Sequence, residues 1–537
     1  MKRLISFLIA ASFLLASCAG NATLWGQYTT PTPLGGIPAT SSPAPVVIAT
    51  QTPTALDPFV PETIADTAAP TPTFGEAFVT QAAASVIKNT STPTANTPTL
   101  LYYAQSGDWL PAIAIRFGVD MNTIVSPKVL PQKGLLDPGT LLIIPDTLNH
   151  SLAFTPAVQL IPDNEMIFSS SAIDFDISKY VKEAGGYLST YREYLGSTGW
   201  TTGAGEIERL ADENSINPRL LLAILDYEGL WVRGKPENNS RIDYPLGYES
   251  YRYKGMFMQM VWAINQLATG YYDWRAGKIT ELTFPDGNKL RIDPTLNAGT
   301  VGLMYYFSRN HSFNEWLRIM DQTSGFLSFY QNMFGDPWSR ADAFGPIFPP
   351  AISQPQLSLP FENHASWAFT GGPHSAWERY GPMAALDFAP ASEKTGCLSS
   401  PKWIVAAAPG LVVRSGNGVV VVDTDGDGSE QTGWDILYLH VAANDRVAKG
   451  VWLEQDDHIG HPSCEGGVAT GTHLHFARKY NGEWVIADGP LPFVLSGWTV
   501  YAGDKPYQGK MVKGDKVITA DLYGQSLALI IRNDDQE

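Results

Sequence analysis

The stretch Gly471–Lys479 reads GTHLHFARK and places two histidines, His473 and His475, one residue apart among residues that suit a β-strand. In a strand, residues i and i+2 point to the same face. Two imidazoles on one face of a stiff element could both bind a metal, or one could bind it while the other takes part in chemistry. A metal site needs further ligands. A histidine four residues before an aspartate of an earlier strand would be an obvious one, but Met383 stands four residues before Asp387.

The sequence around this stretch predicts antiparallel β-structure. After Pro349, short stretches that are apolar or alternate in polarity are separated by Gly, Asn and Asp, as in WIVAAAPGLVVRS, NGVVVVDTDGDGSEQTGWDILYLHV and HLHFARKYNGEWVIA. Six of the nine histidines of the chain lie between His374 and His475, a concentration that a metal or catalytic site would produce.

The segments VAAAPGLVV, YLHV and HIGHPSCEGGVATGTHLHF resemble the zinc metalloendopeptidases of the lysostaphin and staphylolysin type. These are peptidoglycan hydrolases with a compact antiparallel β domain, sometimes called the duplicated hybrid motif. The resemblance implies that His475 binds Zn²⁺, that Asp387 in ALDFAP is a second ligand, and that His440 and His473 are catalytic.

The resemblance also addresses the missing first ligand. In the commoner branch a histidine precedes the aspartate by four residues, whereas the staphylolysin branch has it further upstream in a Gly-Gly-x-His context. The segment TGGPHSAWERYGPMAALDF fits the second pattern, with His374 thirteen residues before Asp387. The implied ligand set is His374, Asp387 and His475, with Met383 as a packing residue. Two histidines and one carboxylate leave the fourth position of a tetrahedral zinc ion open.

Two other functions remain possible from the sequence. The β domain could be a catalytically silent wall-binding adaptor, or the helical middle of the chain could cleave glycan. In that middle part, INPRLLLAILDYEG is distantly similar to lytic transglycosylases of the lysozyme type, which would make Glu228 a general acid. Gly229 stands where that family has serine, and a helical spacer or wall-binding domain is the simpler interpretation.

The N-terminus predicts export. MKRLISFLIAASFLLASC has two cations, an apolar run and small residues, as in a secretory signal. Its end resembles a lipobox, which implies that Cys18 is lipidated and anchors the chain to a membrane. The remaining cysteines, Cys397 and Cys464, then predict a disulfide in an exported protein. A net charge of −17 argues against nucleic acid as a partner.

The segment after the signal, as far as Pro98, is rich in Pro, Thr, Ala and Ser and predicts a disordered tether. The following SGDWLPAIAIRFGV and LLDPGTLLIIP resemble a lysin motif (LysM), a βααβ module that binds N-acetylglucosamine glycans, although Trp109 stands where a threonine is usual. The predicted helices are Trp109–Phe117, a short one from about Met121, 206–213 and 218–231.

One acidic segment has two interpretations. DTDGDG contains Asp423, Asp425 and Asp427, which are spaced like calcium ligands, but the twelfth position of an EF-hand loop would be Trp434 instead of Glu. Flanking strands and the Asp-Gly pairs favour a polar hairpin loop.

The length of 537 residues suits several domains. The predicted organisation is a signal peptide 1–17, a tether 18–98, a LysM module 99–147, an α-helical lysozyme-like or spacer domain 165–350, an antiparallel β zinc metalloendopeptidase domain 351–498, and a β-like segment 499–537 of unassigned function. The predicted substrate is the peptide part of peptidoglycan.

Overall fold

Three groups of elements follow one another in the computed structural model, which describes residues 98–377, 380–391, 396–398 and 400–533. The predicted signal peptide, the lipidation site Cys18 and the tether apart from Pro98 lie outside the described residues. The described residues belong to one compact unit.

The first group is a small module of β1 (Thr99–Tyr103), α1 (Leu110–Phe117) and β2 (Leu141–Pro145). The two strands pair antiparallel, and α1 ends at Gly118, whose φ of 67° is left-handed. The module has a hydrophobic core of its own. The second helix expected near Met121 is a single 3₁₀ turn, Met121–Thr123, so the βααβ prediction was wrong in that element.

The middle group is mainly helical, as predicted. Asn217 caps one helix by accepting a hydrogen bond from the Arg219 backbone N–H, and Pro218 occupies its first turn. No helix in the described part of the chain combines the length and apolar character needed to cross a bilayer. The elements are α2 (Asp163–Met166), α3 (Ile177–Ala184), β3 (Arg192–Leu195), β4 (Gly199–Thr202), α4 (Gly203–Asn214), α5 (Pro218–Gly229), α6 (Asn239–Asp243), α7 (Met256–Arg275), β5 (Glu281–Thr283), β6 (Lys289–Arg291), α8 (Ala298–Ser308), α9 (Phe313–Ile319), α10 (Phe326–Phe334) and α11 (Pro337–Phe344).

The last group is a β domain, as predicted. Its strands are β7 (Ser366–Ser375), β8 (Met383–Pro390), β9 (Ile404–Val405), β10 (Gly410–Gly416), β11 (Val419–Asp423), β12 (Trp434–Leu439), β13 (Trp452–Leu453), β14 (His458–Gly460), β15 (Leu474–Tyr480), β16 (Glu483–Trp484), β17 (Val494–Leu495), β18 (Trp498–Ala502), β19 (Gly509–Lys513), β20 (Lys516–Thr519) and β21 (Leu529–Ile531). The main sheet has the strand order β13-β10-β11-β12-β15-β8-β7-β21, with β16 paired to β15, and the pairings are antiparallel. Strands β17 to β20 form a second sheet, and β9 pairs with β14.

The two faces of the main sheet are buried in different cores. In β15, Leu474 and Phe476 belong to a core formed within the β domain, to which the C-terminal strands contribute Met511 and Ile530. Ala477, on the other face, belongs to a core that contains the helices of the middle group. The core therefore continues across the boundaries predicted near residues 350 and 498.

One buried arginine joins all three groups. The Arg275 guanidinium, near the end of α7, donates to the backbone oxygen of Ser106 in the small module. It also donates to Asp163 Oδ2 at 3.0 Å, Tyr271 Oη at 2.7 Å and Glu483 Oε2 at 3.1 Å, so the helical group and the β domain share it. Removing one partner of such a buried cluster would leave another charge without compensation.

The predicted disulfide is present and suits a test. Cys397 and Cys464 are joined across a sequence separation of 67 residues. We expect the double variant Cys397→Ser/Cys464→Ser to lower the free energy of unfolding by about 4 kcal/mol, because a cross-link of this loop length restricts the unfolded chain. Chemical denaturation of oxidised wild type and the variant measures the difference. Non-reducing peptide maps that show both thiols free in oxidatively purified protein would contradict the pairing.

Candidate metal centre

Two glycines allow β7 to bring His374 beside Asp387. The β7–β8 register shifts three times between Phe369 and Ser375. A Cβ on Gly371 would lie 2.5 Å from Asp387 Oδ2, and a Cβ on Gly372 would lie 2.5 Å from the Gln508 backbone oxygen. The Gly-Gly pair therefore gives room to the carboxylate on one side and to the C-terminal loop on the other.

Three buried side-chain atoms converge at this point. His374 Nε2 lies 3.0 Å from His475 Nδ1 and 3.2 Å from Asp387 Oδ1, and His475 Nδ1 lies 3.3 Å from the same oxygen. Zinc ligands bind at about 2.0–2.2 Å in a tetrahedron, which puts neighbouring donor atoms roughly 3.3 Å apart. The triangle therefore has the size of three corners of a zinc site.

The hydrogen bonds of the histidines fix which nitrogen atoms are available. His374 Nδ1 lies 2.8 Å from the Gly372 oxygen and His475 Nε2 lies 2.8 Å from the Ala376 oxygen, so each ring donates away from the triangle. His374 Nε2 and His475 Nδ1 then carry no hydrogen, and each directs its lone pair into the triangle. Asp387 Oδ1 is buried and accepts no hydrogen bond from the described residues. A cation satisfies all three atoms, so the residues present fit zinc.

The charges agree with this assignment. Burial alone would lower the pKa of His374, but the negative charge of Asp387 raises it above its ordinary value. Burial alone would raise the pKa of Asp387. Its neighbours His374, His475 and His473, of which His374 has the largest effect, nevertheless lower this pKa well below the ordinary value of an aspartate. The carboxylate therefore favours a positive charge inside the triangle.

Two further histidines lie at the edge of the triangle. His473 Nε2 is 3.7 Å from Asp387 Oδ1, and the rings of His440 and His473 are 4.5 Å apart. The Nδ1 atoms of both rings are 2.8 Å from backbone oxygens, those of Glu465 and Gly471 respectively. Their Nε2 atoms are thus the ones available for chemistry. The five residues predicted from sequence lie together.

His440 is adapted to act as a neutral group. It follows β12 in a left-handed conformation with φ of 68°, which is uncommon for a residue other than glycine. Burial, together with His473 and His475, lowers the pKa of His440 to about 3. At neutral pH the ring therefore carries no charge.

The disulfide supports this histidine pair. Cys464 lies between Ser463, whose backbone N–H donates to the His440 oxygen at 2.7 Å, and Glu465, which accepts from the His440 ring. On the other side, the Thr472 backbone N–H donates to the Gly396 oxygen at 3.1 Å. The cross-link thus connects the segment that contacts His440 with the segment that contacts Thr472, the residue before His473.

Sequence reasoning missed one residue of the site. The ring of Tyr507, in the loop between β18 and β19, stacks on His374 with centroids 4.1 Å apart. The Tyr507 backbone oxygen accepts from Gly372 N at 2.8 Å. No local pattern marks this tyrosine, since its position depends on how the C-terminal strands pack.

Glu228 does not belong to this cluster. It lies near the end of α5, where its carboxylate is 2.9 Å from His311 Nε2 and 3.5 Å from Tyr306 Oη. Burial alone would lower the pKa of His311, but the hydrogen bond and charge of Glu228 raise it. An ion pair with His311 is thus the structural role that this geometry supports.

Parts of this chain are similar in sequence to known bacterial proteases. The sequence model of the family described as LasA, N-terminal domain, matches residues 159–348. Protease LasA of Pseudomonas aeruginosa is 22% identical over 353 residues, which cover 62% of this chain and 77% of that protein. The β-lytic metalloendopeptidase of Achromobacter lyticus is 27% identical over 158 residues, covering 28% of this chain and 39% of that protein.

Solved structures of similar chains include pseudoalterin, a deep-sea M23 metalloprotease, with 22% identity and a TM-score of 0.26, covering 31% of this chain and 96% of that one. The catalytic domain of lysostaphin from Staphylococcus simulans has 20% identity and a TM-score of 0.17, and the match covers 24% of this chain and 89% of that domain. The sequence similarity to LasA and to β-lytic metalloendopeptidase supports a peptidase.

The roles of His374 and Met383 can be separated by metal analysis. We expect His374→Ala to lose zinc and activity together, because the variant keeps two of the three proposed protein ligands and catalytic zinc sites use three. Met383 is half-buried at the start of β8. Met383→Leu should retain zinc because it keeps the volume of the side chain.

Met383→His is the matching control. If the protein were instead a degenerate member of the commoner branch, wild type would bind zinc poorly and Met383→His would raise zinc content and activity. Elemental analysis of the purified variants measures zinc per chain. Stoichiometric zinc in His374→Ala would show that His374 is not a ligand.

Proposed function

We propose that this chain is a zinc-dependent endopeptidase that hydrolyses peptide cross-links or cross-bridges of bacterial peptidoglycan. The observation that carries the proposal is the buried triangle of His374 Nε2, Asp387 Oδ1 and His475 Nδ1, whose sides of 3.0 to 3.3 Å suit zinc. His440 and His473 beside it give the site proton-transfer groups. Similarity to the proteases named above supports the reaction class.

The chain's own residues account for the chemistry as follows. Bound zinc would supply Lewis acidity and make a water molecule easier to ionise. His374, Asp387 and His475 would hold the metal. His440 is neutral and directs Nε2 away from its Glu465 contact, so it can accept a proton from the attacking water. His473 is placed to donate a hydrogen bond to the oxyanion of the tetrahedral intermediate.

The substrate assignment has support from the small module. We propose that residues 99–147 hold the enzyme on glycan in the manner of a LysM module. Its Gln105–Trp109 segment contacts the helical group and is therefore not free to bind glycan. Gln105 Nε2 donates to Thr295 O at 2.8 Å, and Trp109 Nε1 donates to Arg275 O at 3.0 Å. Glycan would therefore use the exposed side of β1, where Leu101 and Tyr103 are more than half exposed.

A pair of variants distinguishes peptide from glycan cleavage. We expect Glu228→Gln to leave wall hydrolysis intact, because its amide oxygen can still accept a hydrogen bond from His311. We expect His475→Ala, which removes a proposed zinc ligand, to abolish hydrolysis. Mass spectrometry of purified peptidoglycan after incubation, with and without chelator, identifies the new ends. Loss of hydrolysis in Glu228→Gln but not in His475→Ala would show that the helical group is the catalytic one.

The proposed location is the cell envelope, with the chain exported and lipid-anchored through Cys18. We expect Cys18→Ser to move the protein from the membrane fraction to the soluble fraction. Membrane fractionation followed by immunoblotting measures this, with Ser41→Ala in the predicted tether as a control that keeps Cys18 and both other cysteines. Unchanged membrane association of Cys18→Ser would contradict lipid anchoring.

A further inference from the structure

The loop between β11 and β12 gathers carboxylates at one point. Ligand oxygen atoms of Asp423, Asp425 and Asp427 lie within 4.8 Å of one another. Asp423 is buried and Asp425 and Asp427 are exposed. The spacing of one intervening residue matches the first three ligand positions of a calcium loop, and Gly428 follows at the position where such loops need glycine. Gly428 has a φ of 92°, which favours glycine.

A fourth carboxylate, that of Asp435, supplies independent evidence. Asp435 is 1% exposed, and neither of its carboxylate oxygens accepts a hydrogen bond from the described residues. Asp435 in β12 is the direct antiparallel partner of Asp423 in β11, so the two side chains point to the same face of the sheet. Directly opposite residues have Cβ atoms about 4.5–5.5 Å apart. Asp435 therefore presents a buried, unpaired carboxylate beside Asp423, on the face of the sheet that carries the side chain of Asp423.

The lysine opposite Asp435 in the neighbouring strand donates its side-chain hydrogen bond to another residue. Lys479 is the partner of Asp435 on the other side, in β15. Its Nζ donates to Glu430 Oε2 at 2.8 Å, and Arg414 also binds Glu430. A buried charge without a bonded partner is unfavourable, because no hydrogen bond or ion pair offsets the free energy lost when the charge leaves water.

Ligand oxygen atoms of three carboxylates lie within 4.8 Å of one another, and Asp435 is paired with Asp423 across the hairpin. Ionised carboxylates this close repel one another. A divalent cation bound between these oxygens would remove the repulsion.

We propose that Asp423, Asp425, Asp427 and Asp435 form a second metal site, which binds Ca²⁺ and is separate from the zinc centre. Calcium binds six to eight oxygen ligands at 2.3–2.6 Å, so two ligands of one ion can lie about 5 Å apart. Trp434 occupies the twelfth loop position, where an EF-hand has its acidic ligand. In this hairpin the acidic ligand is instead the next residue, Asp435, because the strand register pairs it with Asp423.

Two tryptophans provide a spectroscopic probe. Trp434 ends the loop, and the ring of Trp452 lies against Gly426 within it. Tb³⁺ bound at the site should therefore luminesce when tryptophan is excited. The experiment uses the full-length, zinc-loaded protein, adds Tb³⁺, and then displaces it with Ca²⁺ or Mg²⁺. We expect Ca²⁺ to compete with a Kd on the order of 10⁻⁴–10⁻³ M, the range of extracellular calcium modules, and Mg²⁺ to compete at least about tenfold more weakly.

Variants identify the ligands. Asp435→Asn and Asp425→Asn should each weaken Ca²⁺ binding about tenfold or more, since ligand charge sets calcium affinity. The control is Asp515→Asn, an exposed aspartate of the turn between β19 and β20, which should bind like wild type. If Asp435→Asn does not fold, Asp425→Asn, at an exposed position, carries the test.

Two results would overturn the proposal. If tryptophan-sensitised Tb³⁺ luminescence of wild type does not exceed that of Asp425→Asn, and about 10 mM Ca²⁺, well above this affinity range, does not change it, the cluster binds no calcium. If Asp425→Asn and Asp435→Asn bind Ca²⁺ as tightly as wild type, the ion binds elsewhere. Neither readout uses peptidase activity, so the result does not depend on the proposed function.

Discussion

The alternation of side chains along β15 is the constraint on which the rest of the structure depends. Because successive residues point to opposite faces, Leu474 and Phe476 enter the core of the β domain. His475 shares the other face with Ala477, which is buried under the helices. A shift of one residue would exchange the two sets and remove His475 from His374 and Asp387. The same register therefore fixes both cores and the candidate metal centre.

A sheet buried on both faces needs a second layer, and polar contacts align that layer. Trp484 in β16 donates its indole N–H to the Asn214 oxygen at 3.2 Å and its backbone N–H to Tyr272 Oη at 3.2 Å. The buried Arg275 adds the small module to the same junction through Ser106. Hydrogen bonds between buried charged groups require a defined geometry. They therefore fix the relative position of the helical layer and the sheet more precisely than apolar packing does.

Sequence reasoning succeeded where the information is local and failed where it depends on strand register. His473 and His475 are two residues apart in one strand, so their proximity follows from the period of a strand. His374 reaches Asp387 only through irregular pairing in β7, and resemblance alone identified it. Asp435, a ligand of the proposed calcium site, was missed because the loop was counted along the chain, whereas its pairing with Asp423 is set across the hairpin. Tyr507 depends on long-range packing, which leaves no local pattern.

The helical layer contributes to the candidate metal centre and shares a hydrophobic core with the β domain. The Ala376 oxygen, which orients the His475 ring, lies just after β7, and Ala376 is buried in the core shared with the helices. Further along this connection, the Tyr380 backbone N–H donates to Asn265 Oδ1 of α7 at 3.2 Å. Loss of the helices would expose the apolar sheet face and release the segment that fixes a ligand's hydrogen bond. Because a metal ligand binds well only when its second nitrogen is held, the helices and the proposed zinc site are energetically linked.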